Sequence, residues 1–450
     1  MNLILGAGLS GLSCSFHLGH KDSIVLEKAG NAYGHIRTEF REGFTWDEGP
    51  HVSFTTNDYV RSLFAESVGN NYDEYEVHTS NYYKGSWIDH PAQTSLYQIP
   101  EPLRSACVES FLRSRRDISE SHPRHYGEWL EQAFGPVFAQ TFPAAYTRKY
   151  WTLPPEGLST EWVGSRVFYP SVEEVTAGSR GPLNRQTHYI SKIRYPTQGG
   201  FQAFASKLKN EANIRLGADV CSIDLQKKCL WTIDGTECQW GRLINTLPLP
   251  KFLSMCANVP HNVMEAAREI SCSNLLLINF QVDHSTRRSE NWMYVYDEDK
   301  LSTRINCTEK LTRGNAPFQK SGIQVEVYGS RHRPLPLDFE VVARKVAGEL
   351  MEMGLLDPEV DFKYHTVLVP WANIIFTHST AAALEMIWQW LEKYGLEREG
   401  DDLHPLTNWS DKAAMAIPLG SITMAGRYAQ WKYFWTDDCV LRGAAIAGRN

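Results

Sequence analysis

The sequence contains no apolar run approaching the roughly 20 residues that a membrane-spanning helix requires. It also lacks a Lys/Arg-rich block or basic tail, and its formal net charge is -7. Nucleic acid and anionic membranes are therefore poor partners. The nine cysteines are scattered, odd in number and without a C-x-x-C pair. That excludes a disulfide framework and a zinc ribbon, and it points to a reducing compartment. No internal repeat is visible. The residues from Met1 show neither a basic n-region nor a long apolar h-region, so no signal peptide is expected and a cytoplasmic location is. Without a secretion signal, the glycosylation-like triplets at Asn306 and Asn408 read as chance matches. What is present is a hydrophobic fraction of 42% and an aromatic fraction of 12% over 450 residues. This supplies a large core and suits two or three joined domains. The aromatics suit either that core or aromatic-walled pockets for planar or sugar ligands.

The first thirty residues carry the strongest motif. Asn2 to Leu5 read as a strand, Gly6-Ala7-Gly8-Leu9-Ser10-Gly11 follows, Leu12 to Leu18 read as a helix, and Ser23 to Leu26 form a second strand ending at Glu27. This is a G-x-G-x-x-G dinucleotide fingerprint in its proper strand–helix–strand setting. Gly6 permits the turn, Gly8 lets the backbone approach a pyrophosphate, Gly11 lets the helix pack on the strand, and Glu27 suits a ribose hydroxyl. A second glycine turn follows at Gly34-His35-Ile36-Arg37-Thr38, and then Gly43 to His51, including Gly49-Pro50-His51. Here the sequence resembles the flavoprotein superfamily of amine oxidases, protoporphyrinogen oxidase and UDP-galactopyranose mutase, which implies FAD rather than NAD as the occupant.

The fold class expected is α/β: a Rossmann-like FAD-binding domain with an inserted helical domain and an antiparallel-sheet substrate domain. Residues 1–85 and 190–255 form the two main parts of the FAD-binding domain, with 86–165 as the helical insertion. Residues 256–410 form the substrate sheet with helices, and 411–450 the closing segment. Strands are expected at Ile214 to Val220, Leu275 to Phe280, Trp292 to Tyr296 and Ile323 to Tyr328. Amphipathic helices are expected at Phe339 to Met353 and Ala381 to Tyr394.

Several motifs, in order, resemble the UDP-galactopyranose mutase family over almost the whole chain. They are G-P-H at 49–51, Y-W-T-L-P at 150–154, W-V-G-S-R-V at 162–167, Y-P-T-Q-G-G at 195–200, W-M-Y at 292–294 with Arg304, and G-R-Y-A-Q-W-K-Y at 426–433. The resemblance implies interconversion of pyranose and furanose rings of a nucleotide-linked sugar, with no net redox change, in cell-surface polysaccharide biosynthesis. The reduced form of FAD is the active one: its N5 bonds the anomeric carbon and displaces the nucleoside diphosphate. The resemblance puts His51 beside the flavin N5 edge. It puts Arg166 and Arg304 on the diphosphate as catalytic residues, Tyr433 on the phosphates, and Arg427 near the FAD pyrophosphate. Gly34, Thr38, Gly49, Val220 and Gly443 complete the implied cofactor set. Small residues at the end of the chain would let a closing helix aim its N-terminus at the flavin. Gln93, in the loosely matching stretch Trp87 to Tyr97, and Asn373 complete the substrate set. Asn373 stands where the family has a substrate tyrosine.

The competing reading is an oxidase or dehydrogenase of the amine-oxidase type, which passes hydride from a substrate C–H to FAD. A flavin-binding protein without chemistry is a third. NAD(P)H as reductant and homo-oligomer formation stay open, and no metal is expected.

Overall fold

A computed structural model of the chain describes residues 1–116, 122–163, 168–183, 192–399 and 419–448. Five parallel strands form the dinucleotide-binding sheet, in the order Ile422–Met424, Arg242–Asn245, Asn2–Leu5, Ser23–Glu27, Ile214–Leu216. Two of its strands carry the apolar runs Leu3-Ile4-Leu5 and Ile24-Val25-Leu26, as a sheet covered on both faces requires. The opening helix Leu9–Leu18 packs on it together with the closing helix Thr436–Ile446. Gly443 permits that contact: a Cβ there would lie 2.2 Å from Ser13 Oγ. The Ser13 hydroxyl donates to Val440 O across the same interface at 2.7 Å.

The strand expected through Ile214 to Val220 is two strands. Gly217 has φ +72°, a left-handed turn that breaks the extended run. Ile214–Leu216 stays in the parallel sheet, whereas Val220–Asp224 starts a three-stranded antiparallel sheet with Cys229–Thr232 and Glu237–Gln239.

The larger sheet has seven strands, in the order Phe362–Val369, Asn274–Val282, Ser321–Gly329, Arg304–Cys307, Trp292–Val295, Thr79–Tyr83, Ser86–Asp89. All pairs are antiparallel except Trp292–Val295 with Thr79–Tyr83. Side chains alternate between its faces. Leu276, Ile278, Phe280, Ile305, Ile323, Val325 and Val327 point to one side and pack with Val342, Val346 and Leu350 of helix Phe339–Glu352. The other face carries Tyr294, Arg304, Glu326 and Leu277 in one cross-strand row. The adjacent row holds Trp292, Asn306, Gln324, Asn279 and His365.

Helices Leu103–Arg116, Tyr126–Phe134, Pro136–Thr141 and Pro143–Tyr150 form the helical layer. Its last helix is bolted to the seven-stranded sheet by Lys149, which is buried. The Lys149 Nζ donates to Val295 O, Asp297 O and Ser302 O at 2.9, 2.8 and 2.7 Å. Among the described residues no helix is long and apolar enough to cross a membrane.

Candidate active site

The opening strand ends in a cradle. Gly6 has φ +93°, and a Cβ on Gly11 would lie 1.9 Å from Gly6 O, so the first turn of the helix can close only over glycine. Gly8 caps the helix in extended conformation. Its Cβ position meets nothing but Gly34 Cα, at 3.9 Å, so the space in front of Gly8 is open. Gly34, with φ +53°, presses its own backbone against Gly8: a Cβ there would lie 2.9 Å from Gly8 Cα. The two glycine turns thus stand back to back at a helix N-terminus, a shape and polarity that fit a pyrophosphate. Glu27 is fixed beside them, accepting from Ala7 N–H at 2.8 Å and Ala29 N–H at 2.9 Å. Ala218 N–H donates to Glu27 O at 2.8 Å, which brings the segment leading to buried Val220 to the same corner.

The strand Phe44–Asp47 leads from this cradle towards the large sheet. Asp47 is buried, and burial pushes its carboxyl up to about 6 against the hydrogen bonds from Thr38, Tyr195 and Phe201 N–H. Thr38 gives its hydroxyl to Asp47 at 2.6 Å and its N–H to Gln202 Oε1 at 3.0 Å. Its place is therefore that of a brace for Asp47. Gly49 has φ +88°, and a Cβ there would lie 3.2 Å from Glu326 Oε1. The turn aims His51, whose Nδ1 donates to Gly49 O at 3.0 Å and whose ring packs 5.5 Å from that of Phe201. Desolvation pushes the imidazole down to about 4, with smaller opposing effects of Gly49 O and Glu48. It is neutral at pH 7.

On the sheet side Arg304 makes a two-pronged ion pair with Glu326. Nε reaches Oε2 at 2.8 Å and Nη2 reaches Oε1 at 2.6 Å. The Tyr328 hydroxyl donates to the same carboxylate at 2.9 Å. Tyr146 and Tyr150 of helix Pro143–Tyr150 stack with ring centroids 5.6 Å apart, Tyr146 meets Tyr294 at 5.5 Å, and Tyr150 meets Tyr328 at 4.8 Å. Burial holds these phenols neutral well into alkaline pH. Ring contacts run from Tyr328 through Tyr150 and Trp151 to Tyr433, linking the Glu326–Arg304 pair to Arg427, so the two guanidiniums border one tyrosine-lined region, the chamber.

Arg427 lies over the Tyr433 ring at 4.7 Å, with Trp151 and Trp162 at 5.9 and 6.0 Å from that ring. Its Nη2 donates to Asn373 Oδ1 at 2.8 Å and its Nη1 to Phe434 O at 3.3 Å. Its Nε is buried without an acceptor among the described residues. A donor so placed fits an acceptor on a cofactor or substrate. Asn373 is itself held by Ser273, whose hydroxyl accepts from Asn373 N–H at 3.0 Å. It orients Arg427.

The structure therefore brings Gly6, Gly8, Gly11, Glu27 and Gly34 together at the cradle, and His51, Gly49 and Arg304 around Glu326, with Arg427, Asn373 and Tyr433 across the chamber. Gly443 lies where the closing helix packs on Ser13. Gln93 lines a small apolar cavity with Leu96, Cys107, Phe111 and Val175, and no described hydrogen bond or ring contact ties it to Arg304 or His51. Arg166 lies outside the described residues. Glu326, Tyr328, Tyr146 and Asp47 join the candidate site although no sequence motif marks them. The signal for two of them was available. Gln324, Glu326 and Tyr328 alternate with Ile323, Val325 and Val327, and polar residues at every second position of a strand mark a working face.

The sequence profile of flavin containing amine oxidoreductases matches residues 9–449. Among solved structures, a reduced UDP-galactopyranose mutase superposes with a TM-score of 0.87 at 21% identity, over 99% of this chain and 94% of that one. A putative protoporphyrinogen oxidase from Exiguobacterium sp. 255-15 gives 0.71 at 15% identity, over 99% and 97%. A putrescine oxidase variant redesigned in cofactor binding gives 0.59 at 12%, over 99% and 98%.

Proposed function

This chain belongs to the flavin containing amine oxidoreductase family and its cofactor is FAD, and from that premise we propose that it is a pyranose–furanose mutase acting on a nucleotide-linked sugar. The observation that carries the reading is the pair of guanidiniums, Arg304 held by Glu326 and Arg427 over the Tyr433 ring, at the two ends of one chain of aromatic contacts through Tyr328, Tyr150 and Trp151. Planar, paired cations suit the oxygens of a diphosphate, and an oxidase of a neutral amine has no use for them.

When bound and reduced, FAD would supply the nucleophile for the anomeric carbon. The protein's own residues do the rest. The cradle at Gly8 and Gly34, with Glu27, binds the dinucleotide. Arg304 offers Nη1 to the departing phosphate, and Tyr433 and the neutral tyrosines donate hydrogen bonds without adding charge. Holding the diphosphate nearby allows its return after the ring has reclosed. His51, neutral and tied through Nδ1 to Gly49 O, keeps a fixed orientation towards the cofactor edge. The buried aromatic walls keep water from the opened sugar. Arg166 is proposed as the partner of Arg304 on the diphosphate.

The aromatic wall of Tyr150, Tyr328, Tyr433 and Trp151 favours a second reading, an amine-type oxidase or dehydrogenase. One experiment separates them. Protein reduced anaerobically with dithionite or NAD(P)H is incubated with a panel of nucleotide sugars and followed by NMR. Isomerisation by the reduced form only, with the flavin still reduced after many turnovers, is the expected result. Bleaching of the oxidised enzyme by a sugar or amine, with no isomerisation, overturns the mutase.

A further inference from the structure

Arg304 is not free to embrace an anion. Its side chain is 23% exposed, while that of Glu326 is 1% exposed. The carboxylate takes both Nε and Nη2. Nη1 alone has no acceptor among the described residues. Glu326 cannot swing away. The Tyr328 hydroxyl holds Oε2, and Gly49 closes over Oε1, leaving no room for even a Cβ without strain. Thr303 N–H pairs with Glu326 O at 2.9 Å, which locks the backbone beneath. A buried carboxylate with one cationic partner, and a cation with one open edge, form a nearly neutral pair that still points a donor into the chamber.

From this geometry we infer that Glu326 tunes Arg304: it fixes the guanidinium with a single edge exposed and damps its attraction for a nucleoside diphosphate, so that the diphosphate leaves and returns rather than staying bound. The inference rests on the reading of Arg304 as a phosphate-binding residue. A merely structural carboxylate would support Arg304, and its loss would weaken anion binding. A tuning carboxylate competes with the anion, and its loss strengthens binding. The two roles differ in sign.

The test uses FAD-loaded protein, with UDP and inorganic pyrophosphate as probes, measured by calorimetry over a range of salt. Glu326→Gln and Glu326→Met both remove the charge. Each is expected to lower Kd for UDP by on the order of tenfold, with a steeper salt dependence, because a half-buried guanidinium is left uncompensated. Glu326→Asp keeps the charge, and its Kd is expected to stay within about twofold of the wild type. In turnover the neutral variants should show a lower KM and a lower kcat. An unchanged or raised Kd in the FAD-loaded neutral variants overturns the inference. So does a similar tightening in Glu326→Asp, which would trace the effect to shape, and so does a wild type that binds neither probe. Failure here is distinct from failure of the mutase reading. Reduced wild type that isomerises a nucleotide sugar, with Kd unmoved by Glu326→Gln, sinks the tuning role alone. Tightening without isomerisation of any nucleotide sugar sinks the mutase alone.

Discussion

Gly8 and Gly11 stand three residues apart and answer to different neighbours. A side chain at Gly11 collides with the chain's own Gly6 carbonyl, whereas one at Gly8 enters open space. Gly8→Val is therefore expected to give folded, colourless protein. Gly11→Val should give little soluble protein at all. Flavin absorbance and circular dichroism on the two variants check this, and full flavin content in Gly8→Val would remove the cradle assignment. Asp47 and His51 make a second contrast. Asp47, raised to about 6, stabilises the fold at low pH and loses that contribution as pH climbs through 6. His51, depressed to about 4, contributes fully above about 6.5 and loses it as pH falls through 4. Each shift corresponds to about 3 kcal/mol across its window, with opposite slopes. The two nearly cancel in the wild type between pH 4 and 6. His51→Gln should expose the Asp47 slope, so that the thermal midpoint of the variant falls as pH rises from about 4 to about 6. A flat profile in His51→Gln would show that Asp47 titrates near its ordinary value.

The helix Pro143–Tyr150 delivers Tyr146 and Tyr150 to the chamber and is held there by Lys149. Burial pushes this ammonium down to about 7, with Glu349 and Asp297 favouring the charge and Arg333 opposing it. Lys149→Met removes the donor that three carbonyls share, and Asp297 O keeps only the Lys300 N–H. It is expected to destabilise the protein by about 3 kcal/mol, at one lost hydrogen bond to a charged donor plus the desolvated acceptors. Hydrogen exchange should quicken first in residues 143–150. Unchanged protection there would mean that packing alone holds the helix. Two glycines in helices predict opposite outcomes. Gly348, exposed in helix Phe339–Glu352 with no atom near its Cβ position, should gain up to about 1 kcal/mol as Gly348→Ala. Gly443→Ala meets Ser13 at 2.2 Å and should lower the melting temperature. Elements whose signal lies in consecutive residues were readable in the sequence, among them the opening strand–helix–strand unit and both long amphipathic helices. The break at Gly217 was not, because a single glycine between two β-prone stretches leaves the pattern intact while its positive φ splits the strand.

At the scale of the whole molecule, the site joins parts that the chain keeps far apart. The cradle comes from residues 6–34, His51 from the next turn, Glu326 from the middle of the large sheet, and Arg427 from near the end of the chain. FAD bound across such parts should stabilise the protein by about 4 kcal/mol when its concentration is a thousandfold above Kd. Removing it should lower the melting temperature and open the closing helix to protease before the rest, and equal cleavage rates with and without FAD would contradict this. The same dispersal explains what the sequence hid. The cradle and the His51 turn are local motifs and could be read directly. Arg304 with Glu326, and Arg427 with Asn373, are pairs set by strand register and by packing over 22 and 54 residues. The tie between the Thr38 hydroxyl and Asp47 is of the same kind, a contact that no local motif announces.

The alternation across the seven-stranded sheet has a consequence for descent. Substitutions on the chamber face, at positions such as 294, 304, 324, 326 and 328, leave the oily layer against helix Phe339–Glu352 untouched, so chemistry can drift while the scaffold stays soluble and intact. A single-residue insertion or deletion within Ser321–Gly329 does the reverse: it turns every side chain beyond it to the opposite face, driving Glu326 into grease and valine into the chamber. Lineages carrying this sheet should therefore differ by exchange of residues along these strands and by length only in the connections between them.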